Sequence, residues 1–316
     1  MDWKIIVTDP LNTRRQLLIG MCVLTLAACL GGCMSRGDTP ATVTTSSDRA
    51  RNARYVAEVS EGTGKIIFPV DRYEMTQEEQ LLEKSAQYLD LALCMHKQGM
   101  PAYWSPEATV MRDENTRYGR WVMKNAEEFA YTRIPNKVLD DAFIVDDLFR
   151  KKFHDVIDSK EYTDAQEHCL NNPAEDLIMA ESLTFPNEVS RIGQESYDLM
   201  LSSEEAHQVF ADWERCLNDE GLSRDPDDPY SILGVDYSRV DENTIRIAVQ
   251  DVRCKQTTNF VQRLADIEAS FQGPVVERYE SELAAYSESI EKIVDNRKKF
   301  LADHAHEAAE LWVPKS

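Results

Sequence analysis

Two stretches of this chain end in the same way, and that pairing restricts the fold more than any other feature. Cys94-Met95-x-x-x-Gly99 and Cys216-Leu217-x-x-x-Gly221 each place a cysteine on the last apolar turn of an expected helix, just before a glycine stop. Upstream of the first, Thr76 with Glu79 has the signature of a capping box. Leu82, Ala86, Leu89 and Leu93 then recur at helical spacing. Upstream of the second, Ser202 with Glu205 repeats the signature. Ala206, Val209, Phe210, Trp213, Cys216 and Leu217 follow on one face. We read this as a weak internal repeat of two helical units.

Each unit is followed by a further cysteine on a helix-like segment, Cys169 after the first and Cys254 after the second. Local pairing, Cys94 with Cys169 and Cys216 with Cys254, is the simplest connectivity, although four cysteines allow three. The C-terminal third is the most regular part. Residues 245 to 271 have a helical pattern and are expected to break at Gly273-Pro274. Beyond it, Val276, Tyr279, Leu283, Tyr286, Ile290, Ile293, Phe300 and Leu311 follow alternating spacings of three and four, as in a coiled coil. Arg297 and His304 interrupt that seam, which suggests an interface that loosens toward its end. A short Gly-Pro turn favours packing of this helix back on residues 245–271. The expected fold is all-α: a helical bundle with two disulfides and a long C-terminal helical hairpin. Its expected parts are an N-terminal helical unit, 65–200, and a C-terminal unit, 201–316.

The first 64 residues read as address and spacer. Arg14 and Arg15 precede an apolar run, Leu17 to Leu30, that leads into Leu30-Gly31-Gly32-Cys33. The run falls short of the roughly 20 residues a membrane-spanning helix needs. A basic start, a short apolar stretch, small residues and a cysteine are the layout of a lipoprotein signal peptide, expected over 1–33. Two cysteines could carry the lipid, Cys29 after Ala27-Ala28 and Cys33 after Gly31-Gly32. Cys33 is the better candidate for lipidation, because it leaves four cysteines behind it to pair. Thr13-Arg14-Arg15-Gln16-Leu17-Leu18 also fits a twin-arginine export signal. Residues 34–64, rich in Thr, Ser and charge, are expected to be a flexible tether.

The formal net charge is −21. This argues against nucleic acid and against anionic headgroups as partners of the folded body. It suits a solvated surface, or more sharply a cationic ligand or divalent ions. The segment His304-Ala305-His306-Glu307 lacks the second histidine of HExxH, since Glu310 stands there, and is expected to be a solvated helix end. The acidic run Arg224-Asp225-Pro226-Asp227-Asp228-Pro229 lacks the glycine and distal glutamate of an EF-hand loop. The cysteine spacings contain no CxxC, and no GxSxG is present. No catalytic, cofactor-binding or metal-binding residue is assigned, and no cofactor is expected.

Several segments together resemble a group of uncharacterised secreted lipoproteins of actinobacteria. They are Phe68-Pro69-Val70-Asp71-Arg72-Tyr73, Cys94-Met95-His96-Lys97-Gln98-Gly99, Arg117-Tyr118-Gly119, and Ala126-Glu127-Glu128-Phe129-Ala130-Tyr131. The second half adds Trp213-Glu214-Arg215-Cys216-Leu217 with Gly221, and Ala248-Val249-Gln250-Asp251-Val252-Arg253-Cys254. The group usually has glycine where this chain has Ala130. The resemblance implies an extracytoplasmic, disulfide-linked helical protein and transfers no catalytic residue.

These readings converge on a membrane-anchored extracytoplasmic lipoprotein that acts as a cell-surface binding or interaction module. Its partner would be an envelope protein or a cell-wall component, and the membrane would be met through the N-terminal lipid anchor. Tyr103, Trp104, Trp121 and Tyr131, in the least regular stretch, could line a ligand cleft or simply pack beneath a loop. The alternatives are a cell-envelope hydrolase using a carboxylate pair, and a structural homo-oligomer that self-associates through the C-terminal helix.

Overall fold

A computed structural model describes residues 55–104, 114–135, 137–177 and 185–311. The signal peptide, the lipidation candidates Cys29 and Cys33, and residues 34–54 lie outside the described residues. The fold is all-α with one small antiparallel hairpin, β1 (Glu58–Ser60) and β2 (Lys65–Ile67), paired with Val59 opposite Ile66. Residues 55–64, expected as the end of the tether, are therefore structured. Ala57 is buried, its amide donates to Asp266 Oδ1 at 3.1 Å, and its carbonyl accepts from Gln262 Nε2 at 3.0 Å.

The first long helix, α1 (Gln77–Lys97), starts as its sequence dictates. Glu79 N donates to the Thr76 hydroxyl at 3.2 Å, and Thr76 N donates to the Glu79 carboxylate at 2.8 Å. It ends in a Schellman motif: Gly99 has φ 76°, and the Met100 amide reaches back to the Met95 carbonyl at 3.0 Å. Helix α2 (Met123–Phe129) follows, then α3 (Lys137–Ile157), α4 (Lys160–Asn171) and α5 (Asn187–Leu201). Helix α6 (Glu204–Asp219) repeats the end of α1, with Gly221 at φ 73° and the Leu222 amide on the Leu217 carbonyl at 2.8 Å. Its start differs from expectation by one residue: Ser203, not Ser202, caps the helix by accepting from Ala206 N.

Both disulfides take the local connectivity. Cys94 joins Cys169 on α4 with Cα atoms 5.7 Å apart, and Cys216 joins Cys254 at 5.6 Å. Each ties the last turn of a capped helix to a later helix, which stabilises the fold by about 2–4 kcal/mol.

The C-terminal third differs in where it bends. Helix α7 (Glu242–Thr257) stops at Thr258 and Asn259, which turns left-handed with φ 52°. Helix α8 (Phe260–Arg278) then runs straight through Gly273-Pro274, where the break was expected, and α9 (Glu280–Asp303) begins after Tyr279. Pro274 forfeits its amide hydrogen bond and crowds the carbonyl of residue 270, a cost the surrounding packing outweighs. Gly273 is there for packing: a Cβ on it would land inside the Tyr55 ring, whose hydroxyl donates to Glu277 at 2.7 Å. The seam of α9 is as read, with Leu283, Ile290, Ile293 and Phe300 buried, but it packs on α1 rather than on residues 245–271. Arg297 does not loosen that seam. It is buried, pairs with Glu83 of α1 and donates to the Leu177 carbonyl at 3.2 Å. His304 Nδ1 donates to the Phe300 carbonyl at 2.9 Å, and its ring lies against the Phe300 ring.

Two main cores result. One gathers Trp213, Leu217 and Val209 of α6 with Phe260 and Leu264 of α8 and Tyr118. The other gathers Leu89, Leu93 and Met95 of α1 with Cys169 and, from the far end of the chain, Phe300 and Leu311. Each large apolar side chain buried in these cores contributes roughly 1.5–3 kcal/mol. The two halves expected from the sequence are interleaved, because α8 packs on α5 and α9 on α1. Among the described residues no helix is long and apolar enough to cross a membrane.

Ala130 occupies a strained position. It ends α2 with φ 48° and ψ −114°, a region that favours glycine. Ala130→Gly is expected to raise stability by about 1 kcal/mol, read as a higher urea midpoint. A lower midpoint would mean that the buried Ala130 methyl contributes more by packing than the turn loses by strain.

Candidate functional site

A cleft of about 230 Å³ opens where the segment after β2 meets α5 and α8. Its floor is a buried polar hub. Glu268 of α8 is wholly buried and accepts four hydrogen bonds: Arg117 Nε at 2.9 Å, Arg117 Nη2 at 2.5 Å, Tyr118 hydroxyl at 2.7 Å and Ser196 Oγ at 3.1 Å. One turn later Gln272 extends the hub, accepting from Val70 N at 3.3 Å and donating to Ser196 Oγ at 3.0 Å. A carboxylate taken out of water must be matched by donors, and this one is matched on both oxygens.

Arg117 is clamped by the same logic. Its guanidinium lies 4.7 Å from the Tyr197 ring centroid and 5.4 Å from that of Phe68, while one edge is bound to Glu268. Partial burial works against its charge, but the Glu268 hydrogen bonds and charge outweigh that and raise its pKa. Among the described residues its remaining nitrogen, Nη1, has no hydrogen-bond partner, and the side chain is 30% exposed. Arg117 lines the cleft, and Nη1 is the guanidinium nitrogen turned away from Glu268, its outer edge.

The mouth carries Asp71 and Glu74, on and just after a short 3₁₀ turn (Asp71–Tyr73) that follows Phe68-Pro69-Val70. Asp71 Oδ2 accepts from Phe68 N at 2.8 Å, which holds the turn. Lost hydration raises the Asp71 carboxyl above its usual range. The Phe68 amide and Arg117 pull it back, and Glu268 pushes it up further. Glu74 is raised by lost hydration and by the neighbouring Asp71. Glu74 in turn acts on Tyr286 of α9, whose hydroxyl is raised chiefly by burial. Among the described residues neither carboxylate forms an ion pair with a lysine or arginine. The mouth therefore loses negative charge, on acidification, at a pH where ordinary surface carboxylates keep theirs. Opposite, Ser190 and Gln194 stand one turn apart on α5 and offer uncharged polar groups.

A second polar centre is closed to solvent. Lys255 and Asp251, both on α7, pair at 3.1 Å with side chains 1% and 0% exposed. Trp213 Nε1 at 3.0 Å and the Tyr131 hydroxyl at 3.2 Å donate to Asp251, and Lys255 also donates to the Arg120 carbonyl at 2.9 Å. Arg120 in turn pairs with buried Glu114 and donates to the carbonyls of Ala130 and Thr132. This network holds the loop that carries Arg117 and Tyr118 in place.

The residues singled out in the sequence fall as follows. The four aromatics do not gather into one cleft. Trp104 donates to the Ser85 carbonyl, Trp121 to the Asn115 carbonyl, Tyr103 to Asp146 and Tyr131 to Asp251, so they are spread through the fold. In the acidic loop, Asp225 and Asp228 accept from the amides of Asp227 and Tyr230, so those carboxylates shape the turn itself. His306 is 91% exposed and Glu307 pairs with Lys97 at 3.7 Å. Among the described residues no group of three or more His, Cys, Asp or Glu is placed to hold a metal ion. Sequence reasoning missed the cleft as a site, because its lining comes from segments far apart in the chain. The available signals were a Pro-Val-Asp turn at 69–71 and an Arg-Tyr pair at 117–118.

No family model, curated protein or solved structure matches this chain.

Proposed function

We propose that this chain is a lipid-anchored extracytoplasmic protein of the actinobacterial kind it resembles, and that it binds a small polar ligand in the cleft over Glu268. The observation that carries the binding half is an open cleft whose floor is saturated with hydrogen bonds while its mouth holds two carboxylates that, among the described residues, form no salt bridge with a lysine or arginine. Groups left unmatched at an accessible surface, over a rigid base, are what a binding site requires. The two disulfides support an oxidising compartment, and the Leu30-Gly31-Gly32-Cys33 motif supports the anchor. The ligand would then come from the envelope or its surroundings.

The experiment is metabolic labelling of producing cells with an alkyne fatty acid, followed by native mass spectrometry of the extracted protein. Wild type is expected to carry the label and a small adduct, Cys33→Ser to lose the label, and Gln194→Trp, which fills the cleft, to lose the adduct. An unlabelled wild type would overturn the anchor. A protein without adduct, or an adduct kept by Gln194→Trp, would overturn the cleft.

A further inference from the structure

We propose that the cleft takes a small zwitterion, a free α-amino acid or a molecule with the same pairing of ammonium and carboxylate, with its ammonium on Asp71 and Glu74 and its carboxylate on the outer edge of Arg117. The inference rests on the cleft being the ligand site and names what that site recognises.

The charges on the cleft wall are of both signs. Arg117 spends Nε and Nη2 on Glu268 and keeps Nη1 free among the described residues. The rings of Phe68 and Tyr197 lie against the guanidinium, and Nη1 is the nitrogen left for a ligand. A carboxylate accepting there makes a charge-assisted hydrogen bond to a cation that is already held in place, so little ordering is lost on binding. Asp71 uses one oxygen for the Phe68 amide and leaves the other open, and Glu74 stands close enough to raise its own pKa through Asp71. An ammonium group between them replaces like-charge repulsion with attraction and supplies three donors.

The alternatives fit less well. A bare divalent ion would need six to eight oxygen ligands in the case of Ca²⁺, and two carboxylates supply too few. A simple anion would meet Asp71, Glu74 and Glu268 as well as Arg117. A ligand much larger than an amino acid would not fit, because about 230 Å³ lies below the roughly 300–1,000 Å³ of sites for drug-sized molecules. Ser190 and Gln194 remain to hydrogen-bond a polar side chain.

The test is a titration of the purified folded chain, residues 34–316, by NMR and calorimetry. The probes are L-alanine, L-glutamate and L-lysine, then alaninamide, propionate and glycerol. At least one amino acid is expected to bind, with alaninamide and propionate each weaker by about tenfold or more, since each lacks one of the two charges. Asp71→Asn with Glu74→Gln is expected to weaken the amino acid by a similar factor while leaving the thermal midpoint at or above that of wild type, because the substitutions remove repulsion and keep the hydrogen-bond acceptors. Alaninamide binding as tightly as alanine, or propionate alone binding, would overturn the zwitterion and leave the cleft standing as a site. Glycerol binding alone would do the same. No binding by any probe, together with no adduct on the native protein, would overturn both.

Discussion

Alanine in place of Asp251 is expected to cost about 3–5 kcal/mol of stability, the range for removing one partner of a buried ion pair. Lys255 would be left 1% exposed with a charge and no counter-charge, and Trp213 Nε1 and the Tyr131 hydroxyl would lose their acceptor. Urea denaturation followed by tryptophan fluorescence reads this directly, with Trp213 at the centre of the effect. The variant that also carries Lys255→Met removes the stranded charge and is expected to regain part of the loss, although the tryptophan and tyrosine donors stay unmatched. An unchanged midpoint for Asp251→Ala would show that water reaches the pair and that the second polar centre is not closed.

Glu268→Ala should have an effect of similar size, about 3–5 kcal/mol, for a different geometric reason. Four donors converge on this one carboxylate from Arg117, Tyr118 and Ser196. Tyr118 and Ser196 are wholly buried, so water cannot replace the acceptor without opening the core. Glu268→Gln keeps the shape and one acceptor oxygen, and is expected to lose roughly 1–3 kcal/mol. In both variants the Arg117 edge is freed to move, so ligand affinity should fall along with stability. That separates them from Asp71→Asn with Glu74→Gln, which is expected to lose affinity alone. Equal midpoints for wild type and Glu268→Ala would dismiss the hub as the floor of the site.

The helix ends were legible because their chemistry is local. The capping box at Thr76 needs only the residues up to Glu79, and the glycines at 99 and 221 need only the carbonyls of the preceding turn. The disulfide pairing was legible for a related reason, since each cysteine bonds to the next one along the chain. The bend at Asn259 was less visible, because an asparagine can turn left-handed or stay helical and its neighbours decide. The Gly273-Pro274 pair misled in the opposite direction. By propensity it should end a helix, yet the Tyr55 ring fills the space a side chain would take, and packing outweighs the lost hydrogen bond and the crowding of the proline ring.

By itself the sequence determined an all-α chain, the ends of its two cysteine-bearing helices, its cross-links and the apolar face of its last long helix. Only the tertiary structure decided what that face covers and where the polar groups meet. Arg297 finds Glu83 across 214 residues, and Arg117 finds Glu268 across 151. The physical reason is one of range. Caps, turns and helical faces follow from groups a few residues apart, whereas a buried charge is tolerable only where distant segments bring it enough donors. Which segments meet is settled by the packing of the whole core.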